Sequence, residues 1–478
     1  MQYDVIIIGG GLGGLTAGAK LAREGKKVLL IEQHDQVGGY ATTFKRGDFT
    51  LEVGLHETDG PSSGNMKTKI FNDLDVFQNV EFVKVPEFYR FLNDHLDVTI
   101  PHDPEVAIER LSALFPQETD GIKAFFDQIL KPAKRGSNGE SQDISIGEFL
   151  DSIITNEDLK LILLGNLGYF HDDPYSLSLA YYSTAQGSYF SSGASFIKGG
   201  SQKLSDYLAS YIRNHGGEVL LNHVVTAIKT DNQKATGVLY KRKNNRTANN
   251  IEAYSDVIIA NNAMPNVANL LPKEYGIELG KELQHQKIGA SLLTVYLGFK
   301  KPLAELGYNT YSTFVFDSSV KSQNDIMINN SADFARRSFS FTNYGQVDSD
   351  LSPLDKAVGI ICCVDYLKDW EWLDRKAYLS KKKQISRIFT ERLEKLIPGI
   401  SNIIEYEEVA TPYTLKRYTL NPGGAVYGFA QSPAKKPVDT SMLPDNLYFA
   451  SAWGKTGGGF SGAIYGGYLC AISILRKR

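Results

Sequence analysis

Val5-Ile-Ile-Ile-Gly-Gly-Gly-Leu-Gly-Gly-Leu15 decides the fold of this chain. Its four β-branched residues predict a buried strand, and the small residues that follow predict the start of a helix. Gly9, Gly11 and Gly14 form a G-x-G-x-x-G motif between the two elements. In this motif the first glycine permits a tight turn, the second lets the backbone approach a pyrophosphate, and the third lets the helix pack on the strand. The helix N-terminus then favours an anion.

A carboxylate follows the second strand of the predicted βαβ unit. Glu32 ends a buried run at residues 27–32, eighteen residues after Gly14. A carboxylate at this position accepts hydrogen bonds from ribose hydroxyls and repels a 2′-phosphate. The pattern therefore favours FAD or NAD over NADP. A glycine-rich turn without a ligand is the alternative, and the strand–helix–strand context argues against it.

Glycine-rich segments near both ends of the chain favour FAD over NAD. Gly38-Gly39 closely follows Glu32, and Gly457-Gly-Gly-Phe-Ser-Gly462 opens a helix near the other end. Two such segments suit a long cofactor that is touched at both extremities. The N-terminus of the second helix would face the pyrimidine edge of the isoalloxazine, where reduced flavin carries negative charge.

Composition limits the remaining possibilities. The 478 residues predict two or three folding units, and a net charge of −3 argues against a nucleic-acid partner. Cys362, Cys363 and Cys470 lie in apolar or small-residue runs, which predicts core thiols in a reducing, cytoplasmic setting. The eight histidines lack metal-ligand spacing, so no metal site is expected. The apolar run at residues 463–475 is too short to span a bilayer.

The order of predicted elements indicates an α/β fold. We expect a Rossmann-type FAD-binding domain of the glutathione-reductase-like build, assembled from discontinuous segments, with an inserted α+β substrate domain. The FAD-binding domain is assigned to residues 1–65, 195–265 and 405–478, and the substrate domain to residues 66–194 and 266–404. A polar segment at residues 135–143 predicts an exposed loop. A long amphipathic helix is predicted at residues 375–396.

Short motifs along nearly the whole chain carry a family resemblance. They are Glu32-Gln-His-x-x-x-Gly38-Gly39, Glu52-Val-Gly-x-His56, Lys198-Gly-Gly-Ser-Gln-Lys-Leu204, Ala410-Thr-Pro-x-Thr414 and Gly423-Gly-Ala-x-Tyr427-Gly428. With these motifs the chain resembles the phytoene desaturase, carotenoid isomerase and retinol saturase superfamily. The resemblance implies non-covalently bound FAD, a long apolar and often polyene substrate, and peripheral contact with membranes. It also implies hydride or proton–electron exchange at the flavin.

The glycine motifs and the resemblance together assign the cofactor contacts. The assigned residues are Gly9, Gly11, Leu12, Gly13, Gly14, Glu32, Gln33, Gly38, Gly39, Tyr40, Ala41, Val225, Ala452, Gly459, Phe460, Ser461, Gly462 and Ala463. Two positions depart from the superfamily. Tyr40 stands where many relatives have an arginine that donates to the pyrophosphate, and it can offer only a hydroxyl. Ser451-Ala452 stands where many flavoproteins have Gly-Asp, so a carboxylate near the ribityl or phosphate groups is missing.

His56 is the candidate catalytic residue. It follows a Gly-Leu pair that is expected to pass close to the flavin. Because histidine exchanges protons near neutral pH, His56 is expected to donate or accept a proton at a polyene carbon. The alternative is a partly buried histidine bonded to the backbone. Aromatic residues at 169–171, 181–182 and 189–190 predict either an aromatic tunnel for a polyene or an ordinary core.

Three functions remain open from the sequence. The first is an FAD-dependent oxidoreductase or isomerase that desaturates, saturates or isomerises the C=C bonds of a long apolar polyene or isoprenoid. The second is a flavin oxidase of another substrate, such as an amine, and the third is a non-catalytic flavin- or lipid-binding relative. The expected partners are an apolar small molecule and a membrane surface that a cytoplasmic protein touches peripherally. The sequence names no electron donor or acceptor.

Overall fold

The structure, a computed structural model, describes residues 1–62, 64–131, 144–245, 249–433 and 435–477. The loop predicted at residues 135–143 lies outside them. The strands are β1 Gln2–Tyr3, β2 Val5–Ile8, β3 Val28–Ile31, β4 Thr43–Arg46, β5 Phe49–Glu52, β6 Thr58–Asp59, β7 Phe82–Lys84, β8 Tyr89–Leu92, β9 Asp97–Ile100, β10 Ala194–Ile197, β11 Glu218–Leu220, β12 His223–Asp231, β13 Lys234–Arg242, β14 Ile251–Ser255, β15 Ile258–Ala260, β16 Ser291–Phe299, β17 Ser312–Val315, β18 Phe339–Asn343, β19 Ala357–Asp365, β20 Ile404–Ala410 and β21 Leu447–Phe449.

Helices follow the strands through the whole chain. They are α1 Leu12–Arg23, α2 Met66–Asp73, α3 Pro104–Leu114, α4 Thr119–Leu130, α5 Ile146–Ile153, α6 Glu157–Leu163, α7 Leu179–Ser192, α8 Gln202–Asn214, α9 Met264–Ala268, α10 Lys273–Leu283, α11 Asp325–Asn329, α12 Arg375–Leu396, α13 Pro412–Thr419 and α14 Gly459–Arg476. The long amphipathic helix predicted at residues 375–396 corresponds to α12. Within the described residues, no helix is long and apolar enough to cross a bilayer.

A parallel sheet forms the centre of the first half of the molecule. Its order is β11-β3-β2-β15-β21, and every residue of β2, β3 and β15 is buried. Such continuous apolar strands are typical of parallel sheets that are covered on both faces. The five strands come from three separated parts of the chain. The predicted α/β fold, with a Rossmann-type domain built from discontinuous segments, is confirmed.

A larger sheet forms the second half. Its order is β20-β16-β19-β18-β17-β8-β9, and its pairings are antiparallel except for the parallel pair of β17 with β8. α12 covers one face, where Ile385, Phe389 and Leu393 pack in the same core as Leu293 and Val295. The helices α3 to α7 share a second core with β8 and β17.

The structure draws two limits between the halves differently from the sequence. β20 pairs with β16 from Phe299 to Thr294, so residues 405–410 lie in the larger sheet and not with the FAD-binding segment. Val267 and Leu279, which the sequence analysis assigned to the substrate domain, pack in one core with Ile6 and Ile8. Sequence composition does not mark either limit, because both segments are ordinary amphipathic elements.

Candidate active site

The loop between β2 and α1, here called the fingerprint loop (residues 9–14), has no room for side chains at several positions. Gly9 has a φ of +99°, which other residues rarely adopt. A Cβ on Gly13 would lie 2.1 Å from the carbonyl oxygen of Ala450, and one on Gly14 would lie 2.5 Å from that of Gly9. α1 therefore begins tightly against the sheet edge, without a side-chain cap. Its first N–H groups are available to an anion.

Glu32 holds the fingerprint loop from the end of β3. One carboxylate oxygen accepts the N–H of Gly10 at 2.7 Å, and the other accepts the N–H of His34 at 2.8 Å. A carboxylate has about four acceptor sites. Glu32 therefore keeps acceptor capacity for ribose hydroxyls although the residue is only 9% exposed.

The segment after Glu32 is tied to the same loop. The N–H of Gly38 donates to the carbonyl of Gly10 at 2.7 Å. Tyr40, at the position where the superfamily often has arginine, points its hydroxyl at the carbonyl oxygens of Gly424 and Ala425, 3.2 Å from each. The hydroxyl therefore holds a neighbouring loop, and residue 40 offers no cation to a pyrophosphate.

The second glycine-rich segment brings α14 against α1. A Cβ on Gly467 would lie 2.1 Å from the carbonyl oxygen of Gly13, so the two helices touch backbone to backbone. α14 follows Gly458 and also begins without a side-chain cap. In its first turn, the hydroxyl of Ser461 donates to Asp59 at 2.7 Å. Two uncapped helix N-termini thus face one cavity.

Asn261 is a site residue that the sequence analysis missed. Its Oδ1 accepts the N–H of Gly11 at 2.9 Å, and its Nδ2 donates to the carbonyl of Ala450 at 2.5 Å. A Cβ on Gly11 would lie 2.8 Å from the same Oδ1, so a side chain there would first displace Asn261. A signal was available, because Asn261 directly follows β15 and the carboxyl ends of parallel strands meet at one sheet edge.

A cavity of about 2040 Å³ extends from the fingerprint loop to the larger sheet. Ligand sites commonly measure roughly 300–1,000 Å³, so this volume accommodates a cofactor and a second molecule. The assigned cofactor residues that line it are Gly9, Gly11, Leu12, Gly13, Glu32, Gln33, Gly38, Gly39, Tyr40, Ala41, Val225, Ala452, Gly459, Phe460, Ser461, Gly462 and Ala463. Gly14 lies behind the loop, against Gly9. The individual contacts with the cofactor stay predictions.

The part of the cavity beside the fingerprint loop fits FAD. Two helix N-termini offer N–H groups to a pyrophosphate and to a flavin ring edge, and Glu32 offers acceptors to a ribose. Asn262 Oδ1 and Thr456 Oγ1 are buried on the cavity wall without a hydrogen-bond partner. Because buried polar atoms are nearly always paired, these two indicate that a polar ligand binds beside them. Bound FAD would supply hydride transfer to or from a substrate, and the protein binds and orients both molecules.

His56 lies on the cavity wall between β5 and β6. Its Nδ1 lies 3.1 Å from the hydroxyl oxygen of Tyr169. The backbone carbonyl of His56 accepts the hydroxyl of Tyr311 at 2.5 Å. Burial lowers the pKa of His56 to about 4, so the imidazole is uncharged at neutral pH. The predicted role in proton donation stays a prediction, and an uncharged imidazole is a weak acid for it.

Glu57, the next residue, was not singled out by the sequence analysis. It lies on the cavity wall, is 7% exposed, and its Oε2 has no hydrogen-bond partner. Burial, and after it the nearby Glu87 carboxyl, raise the pKa of Glu57 well above the usual value. Both effects favour the protonated, uncharged form of this carboxyl group. No sequence signal separates Glu57 from other glutamates, because the pKa shift arises from burial.

Asp59 contrasts with Glu57 two residues later. Its carboxylate forms an ion pair with Lys67, and both side chains are 3% exposed. Burial acts to raise the pKa of Asp59, but the Lys67 ammonium and the hydrogen bonds outweigh it and hold the pKa below its usual value. Because Ser461 donates to the same carboxylate, this buried pair positions the start of α14.

The far part of the cavity, here called the chamber, is lined mainly by aromatic and aliphatic side chains. Of the predicted tunnel residues, Tyr169, Phe170, His171, Tyr181 and Tyr189 line it. Tyr182 and Phe190 lie instead in the core of the helical layer. The larger sheet, the segment directly after β17 and α11 add Leu292, Phe314, Phe316, Ile326 and Val364.

The dinucleotide-binding fold, the paired helix N-termini and the adjoining apolar chamber define an FAD-dependent oxidoreductase. The chain belongs to the flavin containing amine oxidoreductase family, whose model matches residues 12–475. FAD is thus the cofactor of this fold and site.

Similar proteins cover nearly the whole chain. Prolycopene isomerase from Daucus carota is 27% identical over an alignment of 511 positions, which covers 99% of this chain and 80% of that protein. All-trans-retinol 13,14-reductase from Danio rerio is 23% identical and spans 100% of this chain and 86% of that protein. An oxidoreductase structure from Methanosarcina mazei has a TM-score of 0.69 at 17% identity, with 100% of both chains covered. The resemblance to the phytoene desaturase, carotenoid isomerase and retinol saturase superfamily is confirmed, and the solved structure confirms the fold.

Proposed function

We propose that this protein acts on the C=C bonds of a long apolar polyene or isoprenoid, by saturation, desaturation or cis–trans isomerisation. The observation that carries the proposal is the continuity of the cavity, in which the FAD-binding part opens directly into the chamber. Relatives named for a lycopene isomer and for retinol support the same substrate class. Such substrates have few polar groups, so binding depends on apolar contact and exclusion of water.

The aromatic walls of the chamber hold one another in place. Tyr169 meets Phe314 edge to face with ring centroids 5.3 Å apart. Tyr189 stacks on Phe88 at 5.3 Å. Side chains fixed in this way lose little further freedom when an extended apolar molecule binds between them, which supports affinity.

An amine oxidase is the second candidate, and the charges of the cavity argue against it. A protonated amine in a buried chamber needs an anionic partner. Burial and the nearby Glu87 carboxyl raise the pKa of Glu57 well above its usual value and so disfavour its charged form, and the charge of Asp59 is already paired with Lys67. Glu32 lies at the opposite end, beside the fingerprint loop.

A turnover experiment separates the two functions. The FAD-loaded protein is reduced without oxygen and given a panel of carotenoid and retinoid substrates, and in parallel it is given polyamines in air. We expect polyene products by chromatography and mass spectrometry, and no hydrogen peroxide from the amines. Peroxide from an amine, together with unchanged polyenes, would replace the proposal with the oxidase.

We further propose that the chamber is filled from a membrane surface through the region of α11. Ile326 and Asn329 of this helix line the cavity, while Met327 and Ile328 between them are 48% and 67% exposed. Exposed apolar side chains at the rim of a pocket are a feature of membrane contact sites. A polyene could then pass from lipid to chamber without crossing water.

A further inference from the structure

We propose that Glu57 is the proton donor when this protein saturates a C=C bond, an assignment that rests on the proposed function. Glu57 lies on the wall of the cavity, buried, with one carboxyl oxygen that has no partner in the protein. An unpaired buried polar atom is unusual in a folded protein. At a ligand cavity, it indicates a group that acts on the ligand.

The position of Glu57 along the chain places it where the cofactor part and the chamber meet. Two residues later, Asp59 accepts the hydroxyl of Ser461 at the start of α14, the helix whose N-terminus faces the cofactor. On the other side, the hydroxyl of Tyr189 donates to the backbone carbonyl of Glu57 at 3.3 Å, and Tyr189 lines the chamber. Glu57 thus lies between the part of the cavity that fits FAD and the chamber.

The groups around Glu57 keep the proton in place. Its carboxyl acts electrostatically on the hydroxyls of Tyr169, Tyr189 and Tyr311. The other charged group that acts on it is the Glu87 carboxyl, and the neighbouring Lys67 is committed to Asp59. Among the described residues, no cation forms an ion pair with Glu57. Its ionised form would therefore be an unpaired buried anion, which is strongly disfavoured.

His56 and Tyr169 also carry protic groups and line the cavity, and both are poorer donors. His56 is uncharged at neutral pH because burial lowers its pKa to about 4. Burial raises the pKa of Tyr169 well above its usual value, so its hydroxyl holds its proton more firmly than a carboxyl does. Of these three residues, Glu57 alone is a carboxylic acid whose protonated form is favoured by burial.

The step balances with one proton from Glu57. In a saturation, the π bond of one C=C breaks and two C–H bonds form. One carbon receives a hydrogen with two electrons, which come from an external two-electron reductant through the oxidoreductase reaction. The other carbon receives the proton of Glu57: the O–H bond breaks, its electron pair stays on the carboxylate, and a proton from solvent restores the acid.

The test compares Glu57→Gln with the matched variant Glu87→Gln. Glutamine keeps the shape of Glu57 but carries no acidic proton, and Glu87 is a neighbouring carboxyl that does not line the cavity. Each FAD-loaded protein is reduced with dithionite and given a polyene that the wild type saturates. We expect Glu57→Gln to keep its flavin content and to lose about 10²–10⁴-fold in turnover, the range for a lost general acid. At a pH below the decline in turnover, Glu87→Gln should stay close to the wild type.

Two readouts separate a chemical role from a structural one. Infrared difference spectra between wild type and Glu57→Gln should show the C=O band of an un-ionised carboxyl at neutral pH, with or without substrate. Wild-type turnover should be present below the raised pKa of Glu57 and fall as pH rises through it. In Glu87→Gln, turnover should decline at a lower pH than in the wild type, because removal of the repulsive Glu87 carboxyl lowers the pKa of Glu57. The remaining turnover of Glu57→Gln should show no such decline.

The outcomes fall into distinct classes. Unchanged turnover in Glu57→Gln, or absence of the infrared band, would overturn the assignment of Glu57 and leave the proposed function standing. If the wild type converts no polyene at all, the proposed function fails, and the proton-donor role fails with it. Glu57 is established as the donor if the wild type shows the infrared band and Glu57→Gln loses both its turnover and the decline of turnover with rising pH.

Discussion

The two ends of the cavity are built from different parts of the polypeptide. At the fingerprint loop the walls are backbone, and helices α1 and α14 meet at Gly13 and Gly467 with no space for a Cβ. Towards the chamber the walls are side chains from distant segments, and Glu57, Asp59 and Lys67 lie as buried titratable groups where the cofactor part and the chamber meet. A wall of closely packed backbone has no space for an added atom, whereas the stability of a wall of buried side chains depends on which of its groups are charged. One end of the cavity is therefore sensitive to added volume and the other to lost charge.

Removal of one charge where the cofactor part meets the chamber should have the largest effect on stability. Asp59→Ala leaves the Lys67 ammonium buried without its partner, and breaking a buried pair from one side costs about 3–5 kcal/mol. We expect a loss of this size in the free energy of unfolding, measured by chemical denaturation of the FAD-loaded protein.

The double variant Asp59→Ala/Lys67→Met is its control. It removes both charges, and replacement of a buried pair by apolar groups is often close to neutral. The double variant should therefore be more stable than Asp59→Ala alone. If it is equally unstable, the damage comes from the lost bond to Ser461 and not from an unpaired charge.

One added methyl group tests the volume sensitivity of the other end. Gly13→Ala would place a Cβ 2.1 Å from the carbonyl of Ala450, and overpacking of this kind costs about 1–3 kcal/mol. Gly280→Ala in α10 meets nothing within 4 Å and should stabilise the protein by about 0.5–1 kcal/mol. We expect loss of bound flavin in the first variant only, measured by absorbance after gel filtration. Equal flavin content in both would show that α1 can shift without harm.

The same contrast explains what could be predicted from the sequence. The spacing of Gly9, Gly11 and Gly14 and the carboxylate of Glu32 identify a local structure, because each residue acts through its immediate neighbours. His56 was singled out by its motif and lines the cavity, but its pKa depends on burial by segments over a hundred residues away, such as that of Tyr169. Glu57 was missed for the same reason. Burial is set by the complete fold, and local spacing does not report it.

Loss of one charge on Glu32 should weaken FAD binding without unfolding the protein. Glu32→Gln removes a charge-assisted acceptor at the ribose position and weakens the hydrogen bond from the Gly10 N–H. We expect the free energy of FAD binding to become less favourable by about 1–3 kcal/mol. Titration of FAD into the cofactor-free protein, followed by flavin fluorescence, measures the change. Asp35→Asn is the matched control. The Asp35 side chain is 73% exposed, so loss of its charge should leave the affinity for FAD unchanged. A similar loss in both variants would indicate a general electrostatic effect rather than contact with the ribose.

The smallest expected effect concerns the surface outside the chamber. Ile328→Ser removes an exposed apolar side chain from α11, whose neighbouring residue Ile326 faces the cavity. If α11 dips into lipid, the lost transfer free energy is about 1–2 kcal/mol, and less protein should float with liposomes at both low and high salt. Leu354→Ser is the control, because Leu354 is 96% exposed but is not among the residues that line the cavity. An equal decrease in both variants would mean that any exposed apolar residue promotes binding. A decrease in Ile328→Ser alone would locate the membrane contact at the chamber rim, where side chains and not backbone form the wall.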